Sequence, residues 1–327
     1  MRPVGARAIL AACIAIGLGA SEAAPSSAQG QAPLEIVYIT KAATNTGWKI
    51  INRGVSECAS AEGVRLTVIE PGSGRSVAEQ MEALDAAFRL GPAALVLAPL
   101  DSSAILPGLK PFFDARIPVV TVDTPVNSDR ITANVSTNNL EAGRAQGAAA
   151  AKHLEQASDK VFYLMGDLKQ STGYERMKGF VSALRERWPH NPLRVIPTEW
   201  QQEFARERLA EALRDEPDVR MVVNAWDGGT MVTIKLLQEL GYKPGQVAVI
   251  GLDGAPDALA EIASGWVQAN VAQMLANIGC ESARLARKAA LGEQVPADTD
   301  TGTAVVDSSN VDAFVQRHLA PYLSQAR

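Results

Sequence analysis

Short apolar runs alternate along this chain with stretches whose apolar positions return every three or four residues. Ala94 to Leu97 and Ile117 to Val122 are β-branched and show no period-two alternation. That pattern suits parallel strands buried on both faces. Similar strands are expected at 34–40, 64–70, 160–165, 193–197, 219–224, 247–252, 266–272 and 303–307. Helices fall between them. Ile51, Val55 and Cys58 share one face of 48–61, as do Met81, Leu84 and Phe88 in 77–90, and Leu275, Ile278 and Leu285 in 274–291. Further helices are expected at 105–113, 137–154, 174–188, 204–214, 231–240 and 311–322, and the pattern loosens over 125–135. Strand–helix alternation of this kind gives an α/β class with doubly wound parallel sheets.

One unit is written twice. The 94–97 strand leads to Asp101, a helix and a strand ending in Asp123; the 219–224 strand leads to Asp227, a helix and a strand ending in Asp253. The acid-to-acid spacing is 22 residues in the first copy and 26 in the second. Two such units this far apart predict two lobes, with a ligand cleft where their acid-bearing strand ends face one another.

At 327 residues the chain has room for two domains. Arg2 and Arg7, the small and apolar run from Ala8 to Ala20, and the small-residue sites ending at Ala23 and Ala28 make residues 1–28 a secretory signal peptide. A membrane anchor would need a longer run. A lipid anchor at Cys13 would leave only Ala8 to Ala12 as its apolar region. The formal charge of the chain is −5, and removing Arg2, Arg7 and Glu22 (net +1) leaves about −6, which argues against a nucleic-acid partner. The remaining cysteines, Cys58 and Cys280, either form a disulfide or stay as buried thiols. The three histidines (His153, His190, His318) are scattered, so no metal or cofactor is expected.

Enzymatic signatures are missing: there is no Gly-x-Gly-x-x-Gly, phosphate loop or Gly-x-Ser-x-Gly elbow. Asp101 and Asp227 stand at helix starts, where capping is the simplest account. Asp123 and Asp253 precede loops and are better candidates for contact with ligand hydroxyls. As a glycosidase pair they would need a fixed separation, which lobes that move cannot hold. Trp48, Trp200 and Trp226 all fall on the loop side of a sheet. Each could be core, but an indole face flanked by polar groups suits a sugar.

The pieces Ile117-Pro-Val-Val-Thr-Val-Asp, Asn139-Leu-Glu-Ala-Gly-Arg, Arg176-Met-Lys-Gly-Phe, Gly251-Leu-Asp-Gly and Ala269-Asn-Val-Ala-Gln resemble the periplasmic sugar-binding proteins of ABC importers, ribose-binding type. The resemblance implies two lobes, 31–137 with 274–302 and 138–273 with 303–327, joined by a three-segment hinge near Thr137, Gln273 and Thr301. It places helix 274–291 beside the helix carrying Cys58. It implies ligand contacts from Asn45, Trp48, Asp123, Arg176, Trp200, Asp253 and Gln273, with Tyr174 near the cleft. The sequence departs from the ribose type at Thr124 (an Arg there), Ala98 (an Asn), Trp226 (an Asn) and Leu252 (a Phe), which points away from ribose itself. The expectation is a monomeric, non-enzymatic periplasmic receptor that delivers a monosaccharide or similar ligand to an inner-membrane permease. The alternatives are a subunit that presents its closed state to a membrane sensor, and a secreted carbohydrate-active enzyme.

Overall fold

The computed structural model describes residues 33–41, 46–72 and 76–323. Residues 1–28, expected to be a signal peptide, and Asn45 lie outside these residues. The apolar runs form two six-stranded sheets. The first contains β1 (Glu35–Ile39), β2 (Arg65–Ile69), β3 (Ala94–Leu97), β4 (Val119–Val122), β5 (Ala133–Ser136) and β11 (Asp298–Asp300). Its order is β11-β5-β4-β3-β1-β2 and every pairing is parallel. The second contains β6 (Val161–Met165), β7 (Leu193–Pro197), β8 (Met221–Asn224), β9 (Ala248–Asp253), β10 (Ala269–Gln273) and β12 (Thr303–Val306), in the order β12-β10-β9-β8-β6-β7. The repeated unit is therefore real: β3 beside β4 in one sheet matches β8 beside β9 in the other. Strands β3, β4 and β8 are buried along their whole length, which is why they carry no alternation.

Helices α1 (Thr46–Ala61), α2 (Val77–Arg89), α3 (Leu106–Asp114) and α9 (Leu275–Ala290) go with the first sheet. With the second go α4 (Asn139–Ala151), α5 (Ser171–Arg187), α6 (Gln202–Asp215), α7 (Asp227–Glu239), α8 (Pro256–Ala263), α10 (Val311–His318) and α11 (Ala320–Leu323). The result is two α/β lobes. The chain passes from one sheet's layers to the other's three times, after β5, after β10 and between β11 and β12. Asp300 ties two of these passages together, its Oδ1 accepting from Asn138 N (3.0 Å) and from Gly302 N (2.9 Å).

Several details differ from the sequence reading, which contains no counterpart of β11. Strand β12 runs antiparallel to β10, because the chain reaches it by a short return from β11 at Gly302 (φ 81°) and not through a crossover helix. The loosened stretch contains β5, whose inward Asn134 is satisfied by Thr121 Oγ1 at 2.9 Å, so a buried strand carries polar residues. Helix α8 is only eight residues long, too short for its periodicity to stand out.

Each lobe packs one close pair of helices against its sheet, α1 with α9 and α4 with α5. Glycine permits both. A Cβ on Gly279 would lie 2.1 Å from Ile51 O, and one on Gly143 would lie 2.2 Å from Arg176 O. In the first lobe Cys58 and Cys280 also join α1 to α9 as a disulfide, with Cα atoms 5.1 Å apart, which settles the two alternatives for these cysteines. Helix α9 thus sits beside the helix of Cys58, as the resemblance implied.

Candidate functional site

Asp123 directly follows β4 and Asp253 ends β9, and both residues have positive φ, 68° and 134°. A side chain held in this region costs of order 1–3 kcal/mol, and such strain collects at ligand sites. Asp253 is surrounded by donors. Its Oδ1 accepts from Arg176 Nη1 at 3.0 Å and from Gln273 Nε2 at 2.7 Å, and its Oδ2 from Asp227 N at 3.1 Å. Arg176, 4% exposed, is held in turn by Asn139 Oδ1 (2.8 Å) and Ala225 O (2.7 Å). Burial pushes the Asp253 carboxyl up; Arg176 pulls it back, but only in part.

Asp123 has a different partner. Lys41, two residues beyond the end of β1, reaches its Oδ2 at 3.1 Å and also donates to Thr124 Oγ1 (2.7 Å) and Gln170 Oε1 (3.3 Å). Burial works against both charges. It lowers the lysine, with Asp123 opposing, and three acceptors surround its Nζ. For Asp123 burial is outweighed by Lys41, Arg176 and Thr124 together, so its carboxyl lies below the usual range. Because Arg176 acts on Asp123 and Asp123 acts on Asp253, the two strand ends form one electrostatic unit.

The aromatic residues line the same unit. Trp200 follows Glu199 in left-handed backbone (φ 58° and 55°), and the Arg176 guanidinium lies 5.7 Å from its ring centroid. Trp226, buried, meets Trp200 edge-on at 5.5 Å. Lys41 Nζ is 5.2 Å from the Trp48 ring. Among the described residues, Trp200 Nε1 and Gln273 Oε1 are buried polar atoms without a hydrogen-bond partner. Tyr174 stands half exposed on the first turn of α5.

Of the residues named from the sequence, Trp48, Asp123, Arg176, Trp200, Trp226, Asp253 and Gln273 are thus brought together. The capping account holds for Asp101 only at the turn before α3, whose N-cap is Ile105: its Oδ1 accepts from Ser103 N (2.8 Å) and Ala104 N (2.7 Å). It fails for Asp227. Helix α7 begins at Asp227 itself, and the buried carboxylate accepts from Asn270 Nδ2 (2.7 Å), Ala255 N (2.8 Å) and Thr230 Oγ1 (3.2 Å), pinning the loop after β9. Lys41 was missed. A lysine at the end of the run Tyr38-Ile-Thr, beside a Thr124 that lacks the expected cation, was the available signal: the positive charge is present, supplied from a different strand. Among the described residues no cluster of His, Cys, Asp and Glu could hold a metal ion, and no helix is long and apolar enough to cross a membrane.

A family model described as periplasmic binding protein domain matches residues 36–294. The ribose import binding protein of Salmonella typhimurium is 26% identical over 271 residues, covering 83% of this chain and 90% of that protein. A solute-binding protein of an ABC transporter from Mycobacterium smegmatis, solved with bound glycerol, is 26% identical with a TM-score of 0.77, covering 87% of this chain and 97% of that one. A carbohydrate transporter solute-binding protein from Agrobacterium radiobacter, in complex with D-arabinose, shares the fold at a TM-score of 0.80 and 22% identity, covering 88% and 99%.

Proposed function

We propose a function that proceeds from one premise: the chain belongs to the family of periplasmic binding protein domains. It captures a small, uncharged sugar between its two lobes and delivers it to a membrane permease without altering it. The observation that carries this reading is the pair of orphaned atoms. Trp200 Nε1 is a donor on the ring that the Arg176 guanidinium faces, and Gln273 Oε1 is an acceptor on the side chain that holds Asp253. A hydroxyl both donates and accepts, so a polyhydroxy ligand answers both needs, and indole faces suit its C–H surfaces. Among the described residues Lys41 is already paired with Asp123 and Arg176 with Asp253, so neither of these cations is left over for an anionic ligand. The same pairing withholds both carboxylates from acid–base work, which argues for binding over turnover. Relatives that bind ribose or arabinose point to the same class.

In this reading residues 33–137 with 274–302 move against 138–273 with 303–323 about the three passages. Tyr174 lies at the rim, and the N-terminal leader directs export to the periplasm. A thermal-shift screen of the protein without residues 1–28 against monosaccharides tests it. A ligand at a hundredfold its Kd stabilises the fold by about 2.7 kcal/mol, read as a rise in Tm. Trp200→Phe, which keeps a ring but removes the donor, is expected to weaken the binding sugar about three- to tenfold. No shift with any sugar, or equal affinity in the variant, overturns the assignment.

A further inference from the structure

Gln170 sits where a helix cap belongs and does not cap. It precedes α5 in extended backbone (φ −107°, ψ 132°), and its side chain makes no bond to the first turn. Capping is done by short side chains such as Ser, Asp and Asn. Glutamine is longer, and here it crosses to the other lobe. Its Oε1 accepts from Lys41 Nζ (3.3 Å) and its Nε2 donates to Leu100 O (3.1 Å). The neighbours on either side do likewise: Lys169 O accepts from Ser102 N at 3.2 Å, and Ser171 N donates to Ser102 Oγ at 3.4 Å.

The turn that presents Gln170 is held before it crosses. Lys169 N donates to Asp167 Oδ1 (2.9 Å), Gln170 N to Asp167 O (3.3 Å) and Gly173 N to Gln170 O (3.2 Å). A Cβ on Gly173 would lie 2.3 Å from Asp167 O, so this fold of the chain requires glycine. On the opposite side Lys41 is fixed by Asp123 and Thr124. Both halves of the contact are therefore formed within their own lobes, and joining them orders little that is not ordered already.

We propose that Gln170 is a positioning residue for ligand capture, clasping the lobes shut through Lys41 and Leu100 and setting affinity without touching the ligand. The proposal rests on the sugar-capture reading. Apparent affinity scales with the fraction of free protein already in the binding-competent form. A contact between protein groups alone shifts that fraction equally for every ligand, whereas a contact with the ligand shifts each ligand differently.

The test compares wild type with Gln170→Ala by small-angle X-ray scattering, with and without sugar, and by calorimetric titration of several sugars. The ligand-free variant is expected to have a larger radius of gyration than ligand-free wild type, and the two should coincide when saturated. Each Kd should rise about tenfold, the scale of two lost hydrogen bonds, by the same factor for every sugar. Identical ligand-free scattering, or factors that differ among sugars, overturns the clasp. If no sugar binds wild type, the sugar reading fails, and the ligand-free scattering still decides the clasp. Gln170→Glu keeps the acceptor for Lys41 and loses the donor to Leu100; it should open the free protein to a smaller extent, and serves if the alanine variant does not fold.

Discussion

Asp123 and Asp253 stand at the same point of two similarly ordered sheets, yet the lobes hold them in different ways. Asp253 is fixed by Arg176, by Gln273 and by the first amide of α7, and Asp227 behind it is fixed by Asn270, Ala255 and Thr230. Asp123 has Thr124 and a lysine that also bonds the opposite lobe. One half of the site is complete within its own lobe; the other shares its cation across the cleft. The helix pairs differ in the reverse sense. The α1–α9 pair has a disulfide as well as glycine contacts, while α4–α5, which carries Arg176, has glycine contacts and side-chain bonds (Arg176 to Asn139, Arg144 to Ser182 and Glu186) but no covalent link. The lobe with the looser carboxylate has the more firmly joined scaffold.

The largest expected effect tests that scaffold. The disulfide spans 222 residues of sequence, and its reduction is expected to cost about 2–5 kcal/mol. Thermal melts with and without reductant should show the loss, with sugar affinity nearly unchanged at temperatures where the protein stays folded. An unchanged Tm would remove the asymmetry between the helix pairs.

Next come the glycines. Gly279→Ala and Gly143→Ala each force a Cβ against a carbonyl oxygen and should each cost about 1–3 kcal/mol. Only Gly143→Ala displaces the backbone of Arg176, so only it should also weaken sugar binding. Equal effects on affinity would mean that α5 does not transmit its position to the site.

The smallest effects are in pH dependence, and they have opposite signs in the two lobes. Burial, with Asp253 adding to it, raises the Asp227 carboxyl well above its usual 3.8. A raised group contributes its stability below 3.8 and loses it as pH climbs through the folded value. The margin of wild type over Asp227→Asn should therefore shrink as pH rises. Asp123 is lowered, so its contribution is present above 3.8 and lost as pH falls through the folded value. The margin of wild type over Asp123→Asn should grow as pH rises over the same acid range. Melts of the three proteins from about pH 3 to pH 7 check both signs.

Much of this was legible in the sequence because its cause is local. Runs without alternation mark strands buried on both faces, and acids at their carboxyl ends mark the rim of an open α/β sheet, so Asp123 and Asp253 stood out. Arg176 and Gln273 were reached through a family resemblance carried by short motifs, and Trp200 through its position in that resemblance. Lys41 escaped because nothing around it has helical or strand periodicity; its meaning lies in Thr124 and Asp123, more than eighty residues away. Asp227 was misread for a related reason, since a carboxylate at a helix start is usually a cap and only the approach of Asn270 and Ala255 gives it another task.

The sequence by itself determined the strands, the repeated unit, the two lobes and the residue types at the cleft, since burial pattern and chain direction are written residue by residue. Tertiary structure alone decided which cation neutralises which acid, that Cys58 meets Cys280, that β12 turns antiparallel, and that Gln170 leaves its own helix for the other lobe. Each of these depends on how two distant segments approach one another, and a hydrogen bond's geometry is set within a few tenths of an ångström that no spacing along the chain encodes.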